Sequence, residues 1–276
     1  MVGDAVADPA GPSAGAGRRI LLVRHGESTA NVAAGRAERA GLEAIAVEGR
    51  DADVRLTELG RRQAATVADA LRVQLDGRPL SDARMWSSPY RRAIETARIA
   101  IGAVVDVDAP HGEHDGFLLD ERVRDRELGI LDTLTTLGVE TRLPAEAARR
   151  RWLGKFYYRP PGGEAWTDVA LRIRSFLRDA LSADVVSAGA EPAEARPLII
   201  FTHDAVVSAF AYVLLRLDET RLNSFLSERV VGNASITSFV SDAAREWRLE
   251  SFGDSTHVEA AGVAATEHAG TEHDAS

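Results

Sequence analysis

Cysteine is missing from the 276 residues, which removes disulfides, thiol nucleophiles and cysteine metal sites from consideration. Lysine is nearly missing: Lys155 stands alone, so almost all positive charge is arginine. A net charge of -9 argues against nonspecific binding to polyanions, and no nucleic-acid partner is expected, although a local arginine cluster can oppose the overall sign and hold a small phosphorylated ligand. No apolar run approaches the length of a membrane span, and Met1 to Gly17 lacks a basic segment followed by an apolar one, so no membrane association is expected and the chain reads as cytoplasmic. A convincing metal site is lacking too. His111 and His114, beside Glu113 and Asp115, read as a solvated loop, and His268 and His273 fall in a polar tail.

What is present suffices for one sizeable core, since 45% of residues are hydrophobic. Residues 1–17 are rich in Ala, Gly, Pro and Asp, and residues 258–276 are polar; both are expected as disordered tails around a single domain at 18–257. The run Ile20-Leu-Leu-Val23 stops abruptly at Arg24-His25-Gly26, as a strand buried on both faces would when it delivers charged groups to a sheet edge. Leu198-Ile-Ile-Phe201 repeats the design, ending in Thr202-His203, with Val206, Val207, Phe210, Val213 and Leu214 at helical spacing behind it. Ligands of open parallel sheets bind beyond the carboxyl ends of the strands, so both histidines and Arg24 stand where a ligand is expected.

Other segments supply the frame. Thr57 caps a helix running to about Leu75, with Glu58 favourable in its first turn. Met85 to Ser88 is a strand, and Ser88-Pro89 is expected to cap the next helix, with Ile94, Ala97 and Ile101 on its buried stripe. Arg92 then lies in a first turn, where a cation is disfavoured unless an anion accompanies it. It reaches the edge of His25 if this strand neighbours the first. Residues 32–55, polar and rich in Ala and Gly, are expected either to cover the site or to form a plain surface insertion. Val169, Ile173, Phe176, Leu177, Ala180 and Leu181 mark one face of a strong helix, residues 183–196 a loop, and Ala234 to Phe239 an outer strand with an antiparallel partner at Trp247 and Leu249.

Arg24-His25-Gly26-Glu27-Ser28 with Asn31, Leu56-Thr-Glu-Leu-Gly60, Ser87-Ser-Pro-Tyr-Arg-Arg-Ala93 with Thr96-Ala97, Pro161-Gly-Gly-Glu164 and Thr202-His203 together resemble the histidine phosphatase superfamily, the phosphoglycerate mutase-like proteins. The resemblance implies an α/β fold, a three-layer α/β/α sandwich with a mostly parallel central sheet. It implies that His25 is a nucleophile that becomes phosphorylated, that Arg24, Arg92 and His203 hold the phosphoryl group, and that Ser28 and Asn31 assist in phosphate binding. No cofactor or metal is implied; the partner is a small phosphorylated substrate, and a homodimer is compatible with the family. The family's proton donor is a carboxylate four residues before a glycine. Gly129 points back to Asp125, an aspartate where glutamate is usual. Asp204, in a His-Asp pair like that of the acid phosphatase branch, is an alternative donor, as are Glu121 and Glu127. Phosphomonoester hydrolysis is the favoured activity. The alternatives are a cofactor-dependent phosphoglycerate mutase, for which the stretch 125–132 lacks a lysine to hold a glycerate carboxylate, and a non-catalytic binding module for phosphorylated ligands.

Overall fold

The computed structural model describes residues 18–102, 116–182, 196–242 and 246–267. The readings of 1–17, of His111 and His114, of most of the 183–196 loop, and of His268 and His273 lie outside them. Six strands form one sheet: β1 (Arg19–Arg24), β2 (Arg84–Ser87), β3 (Leu118–Leu119), β4 (Leu198–Thr202), β5 (Ile236–Ser241) and β6 (Trp247–Asp254), in the order β3-β2-β4-β1-β5-β6. The first four in that order are parallel neighbours, and β5 and β6 add an antiparallel edge. The helices are α1 (Thr29–Arg39), α2 (Glu58–Gln74), α3 (Arg91–Ile101), α4 (Thr136–Arg142), α5 (Pro144–Leu153), α6 (Trp166–Ser182), α7 (Asp204–Leu214), α8 (Glu219–Ser227) and α9 (Thr256–Ala260).

The apolar runs explain the three layers. Successive strand side chains point to opposite faces, so an unbroken apolar run must be covered twice. Ile20, Leu22, Leu198 and Ile200 pack under Val169, Ile173 and Phe176 of α6 and Val207 and Phe210 of α7. Leu21, Val23, Ile199 and Phe201 pack on the other face against Val67 and Leu71 of α2 and Ala97 and Ala100 of α3. Each fully buried Val, Leu, Ile or Phe among them contributes about 1.5–3 kcal/mol.

Four expectations are corrected. Strand β2 does not neighbour β1, because β4 lies between them. Residues 236–241 form an interior strand and β6 is the edge; the alternating Ser235 and Thr237 that suggest solvent are buried, and Ser238 bonds Glu250. Helix α3 begins at Arg91 rather than at Ser88: Tyr90 is its N-cap residue without a side-chain cap, and Ser88 Oγ instead accepts from the Tyr90 N–H. Residues 258–267 are no disordered tail. Val258 is fully buried in the core beside α2, the Thr266 carbonyl accepts from Asn233 N–H, and Gln63 donates to Ala264 and Thr266. Two apolar anchors, Val258 and Val263, outweigh a polar composition because main-chain bonding completes the dock.

Helix α2 enters as expected, with Thr57 Oγ1 accepting from Gly60 N–H. Its glycine has a tertiary reason. A Cβ on Gly60 would stand 2.0 Å from the Glu27 carbonyl oxygen, and one on Gly26 would stand 2.4 Å from that of Gly60. The loop after β1 and the start of α2 thus touch backbone to backbone.

Candidate active site

β1 and β4, paired in parallel from Ile20 opposite Leu198 to Arg24 opposite Thr202, end side by side and present His25 and His203 at one edge. The rings lie edge to face with centroids 5.1 Å apart, and both are buried. The His25 main chain is held three ways: its N–H donates to the Thr202 carbonyl, and its own carbonyl accepts from Ala234 N–H and from Asn233 Nδ2. Ala234 takes a left-handed φ of 58°, unusual for a residue with a Cβ, to make that contact.

His25 Nδ1 lies 2.7 Å from the Gly26 carbonyl oxygen. That oxygen can only accept, so the proton sits on Nδ1 and Nε2 carries the lone pair. Arg92 Nε donates to that Nε2 at 3.3 Å. Burial first, then the charges of Arg92, His203 and Arg24, hold the His25 pKa well below the ordinary histidine value, so the ring is neutral at pH 7. A neutral imidazole with its Nε2 lone pair facing Arg92 is in the protonation state that nucleophilic attack requires.

Arg92 reaches His25 from α3 even though β4 separates the two strands, because α3 also meets the loop after β1, where Thr96 Oγ1 accepts from Gly26 N–H. Its guanidinium meets anions on two sides: Nη2 donates to Asp125 Oδ2 at 2.8 Å, and Nη1 and Nη2 donate to the two carboxylate oxygens of Asp51 at 2.9 and 3.0 Å. Nη1 also donates to the Asp51 carbonyl at 2.7 Å. The Arg24 side chain, equally buried, donates from Nη1 to the Val231 carbonyl.

Asp125 Oδ2 also stands 3.2 Å from His203 Nδ1. Ser88 Oγ accepts from Tyr90 N–H and lies 2.9 Å from His203 Nε2. The Asp125 carboxylate can only accept, so the proton of the neutral His203 ring sits on Nδ1, towards Asp125, and Nε2 accepts from the Ser88 hydroxyl. Burial lowers the His203 pKa, against the opposing pull of Asp125. For Asp125 burial acts to raise the pKa, but His203, Arg92 and His25 together hold it well below the ordinary aspartate range. The carboxyl is positioned from behind: Arg172 of α6 donates to the Arg122 and Asp125 carbonyls, and Thr202 Oγ1 donates to the Val123 carbonyl. The Pro161 to Glu164 turn braces the same stretch, with Glu164 pairing Arg124 and Arg172 and its N–H donating to the Glu127 carbonyl. Gly129 allows this, since a Cβ there would meet the Pro161 carbonyl at 2.2 Å.

The other candidates are distributed unevenly. Ser28 is the N-cap of α1 and shares a reciprocal capping box with Asn31. Asn31 Oδ1 accepts from Ser28 and from Asn233 Nδ2, which fixes the amide orientation and turns its NH₂ group away from them. Of the alternative carboxylates, Glu121 is exposed, Glu127 accepts from Tyr90 Oη at 2.9 Å, and Asp204 accepts from Ala205 N–H. Asp125 is the one among these four with an ion-pair contact to Arg92 and to His203. Sequence reasoning missed Asp51, Tyr90 and Asn233. Tyr90, with its ring 5.3 Å from His203 and under the Arg92 guanidinium, lay inside a recognised motif; Asp51 and Asn233 carried no local signal.

The described residues contain no group of three or more His, Asp or Glu side chains fit to hold a metal ion, and no helix long and apolar enough to cross a membrane. Comparison with known proteins gives concordant findings. The model of the histidine phosphatase superfamily (branch 1) matches residues 20–255. A glucosyl-3-phosphoglycerate phosphatase of Mycobacterium tuberculosis is 28% identical over 250 residues, 87% of this chain and 96% of its own. A phosphoglycerate mutase-like protein of Arabidopsis thaliana, AT74H, is 30% identical over 70% of this chain and 64% of its own. Among solved structures, the mycobacterial glucosyl-3-phosphoglycerate phosphatase in complex with VO3 superposes with a TM-score of 0.61 at 27% identity, covering 86% of this chain and 98% of that one.

Proposed function

The chain belongs to the histidine phosphatase superfamily, and from that premise we propose that it hydrolyses small phosphomonoesters by way of a phosphohistidine on His25. The observation that carries this reading is the tautomer of His25: Nδ1–H is committed to Gly26, and the Nε2 lone pair faces Arg92 in a buried ring kept neutral by its surroundings.

In the proposed cycle His25 Nε2 attacks phosphorus as the ester P–O bond breaks. Arg92, Arg24 and His203 Nδ1–H neutralise the equatorial oxygens while charge spreads over them in a loose transition state. The leaving alkoxide takes a proton from Asp125. In the free protein that carboxyl is ionised, but a bound phosphoryl dianion draws Arg92 and His203 towards itself and adds negative charge beside Asp125. Both effects raise its proton affinity, so substrate binding itself loads the acid. Water then attacks phosphorus, the P–N bond breaks, and Asp125, now a carboxylate, accepts the water's proton. By analogy with its mycobacterial relative, a phosphorylated glycerate or sugar derivative is the first substrate class to assay.

The test is rapid quenching in alkali with a ³²P-labelled substrate. Label on His25, together with a loss of turnover on the order of 10⁴-fold or more in His25→Ala, is the expected result. Near-wild-type turnover in that variant, or label on His203, would overturn the assignment.

A further inference from the structure

Arg92 has more anionic company than the reaction needs. In the proposed cycle it meets a phosphoryl group and lies beside Asp125, yet its two terminal nitrogens are already gripped by both oxygens of the Asp51 carboxylate, in the bidentate geometry with which a guanidinium takes a phosphate. Asp51 belongs neither to the sheet edge nor to a long helix. It opens a single 3-10 turn, Asp51–Asp53, on an arch whose feet are fixed elsewhere. The upstream foot is tied by Ile45 N–H to the Thr133 carbonyl and Thr135 N–H to the Glu43 carbonyl. The downstream foot is tied by Thr29 N–H to the Arg55 carbonyl and by the bridge between Ser28 and Leu56. Gly49, with φ of 79°, bends the arch between them.

We propose that Asp51 is a resident competitor for Arg92: its carboxylate occupies the phosphoryl position in the free protein, and a substrate phosphoryl group binds by displacing it. The proposal rests on the reading of Arg92 as a phosphoryl-binding residue. A guanidinium only 3% exposed is costly to leave without counter-charge, and Asp51 supplies that charge until substrate does. The competitor can leave because its own side chain is 40% exposed, so water takes over its solvation, whereas Asp125, 21% exposed and pinned from behind, stays. An anion that grips with one oxygen does not match the fork it must replace. Asp51 thereby sets the affinity threshold for bidentate oxyanions.

If the closed arrangement holds for nine-tenths of free molecules, apparent affinity is reduced about tenfold, because only the open fraction binds. Asp51→Asn is a clean probe. It keeps the size of the side chain and the main-chain carbonyl that accepts from Arg92 Nη1, and removes the negative charge. Inorganic phosphate would be titrated calorimetrically into the wild type, Asp51→Asn, Asp51→Ser and Arg92→Ala. Phosphate binding about tenfold tighter in both Asp51 variants, with KM for p-nitrophenyl phosphate falling in parallel, is the expected result. A merely structural role for Asp51 moves both constants the other way, so unchanged or weaker binding in the two variants overturns the proposal while leaving the phosphohistidine reading intact. Phosphate binding in Arg92→Ala as tight as in the wild type would overturn the placement of the phosphoryl group itself, and the proposal with it.

Discussion

His25, Arg24, Arg92 and His203 are at most 3% exposed and stand at the ends of β1 and β4 and in the first turn of α3, whereas Asp51, Glu127 and Asp132 sit on a 3-10 turn and irregular stretches and range from half-buried to exposed. The floor of the site is therefore cationic or neutral and rigid, and its roof is acidic and carried on loops. Burial, joined by the charges of Asp51 and Glu127, raises the Asp132 pKa, a sign that these acids feel one another across the mouth. The difference teaches how labour divides in this fold. Groups that must meet a transition state within fractions of an ångström are placed by strands whose register the core fixes, and groups that admit and release ligands are placed where the backbone can give.

Arg92 tests the floor most directly. Replacing it by Ala removes a floor charge aimed at the developing anion and should lower kcat/KM by about 10²–10³-fold on every phosphomonoester, whatever the leaving group. An effect confined to one substrate would put Arg92 in the roof instead. Asp125, as the proposed acid, would act on the leaving group rather than on the phosphoryl oxygens. Asp125→Asn should slow alkyl phosphates on the order of 10²-fold more than p-nitrophenyl phosphate, whose leaving group departs without a proton. The ratio of kcat/KM on the two substrates is the measurement, and it cancels damage to folding. Should the ratio stay flat in Asp125→Asn but move in Glu127→Gln, the donor is the carboxylate bonded to Tyr90. The smallest effect belongs to Gly60, which touches no ligand. Gly60→Ala forces a methyl against the Glu27 carbonyl and should lower stability by about 1–3 kcal/mol in a denaturant titration. It should also reduce turnover modestly, because the strain falls on the loop that carries His25. A variant as stable as the wild type would mean that the floor is more pliant than its packing suggests.

The floor was largely legible in the sequence and the roof was not. Two apolar runs each ending in histidine, an arginine in a first helical turn, and a glycine four residues after Asp125 are local patterns, and the structure brings those residues within contact of one another. Ser88 does not cap α3 because its local preference for a helix start loses to a tertiary demand, the ring nitrogen of His203. The order of the strands is not legible at all, since an apolar run says that a strand is covered on both faces and nothing about which strand lies beside it.

The sequence by itself determined the chemical inventory: which residues could attack, which could hold an anion, and that neither thiol chemistry nor a cysteine metal centre was open to this chain. The folded chain alone shows which nitrogen of His25 carries the proton, which carboxylate stands beside His203, and that a second one, Asp51, already fills the grip of Arg92. The reason is one of range. A strand ending in histidine is specified over half a dozen neighbouring residues by periodicity and burial. The Arg92 to Asp51 pair spans 41 residues of chain, and the Asn233 to His25 bond spans 208, so both exist only once the core has brought the segments together.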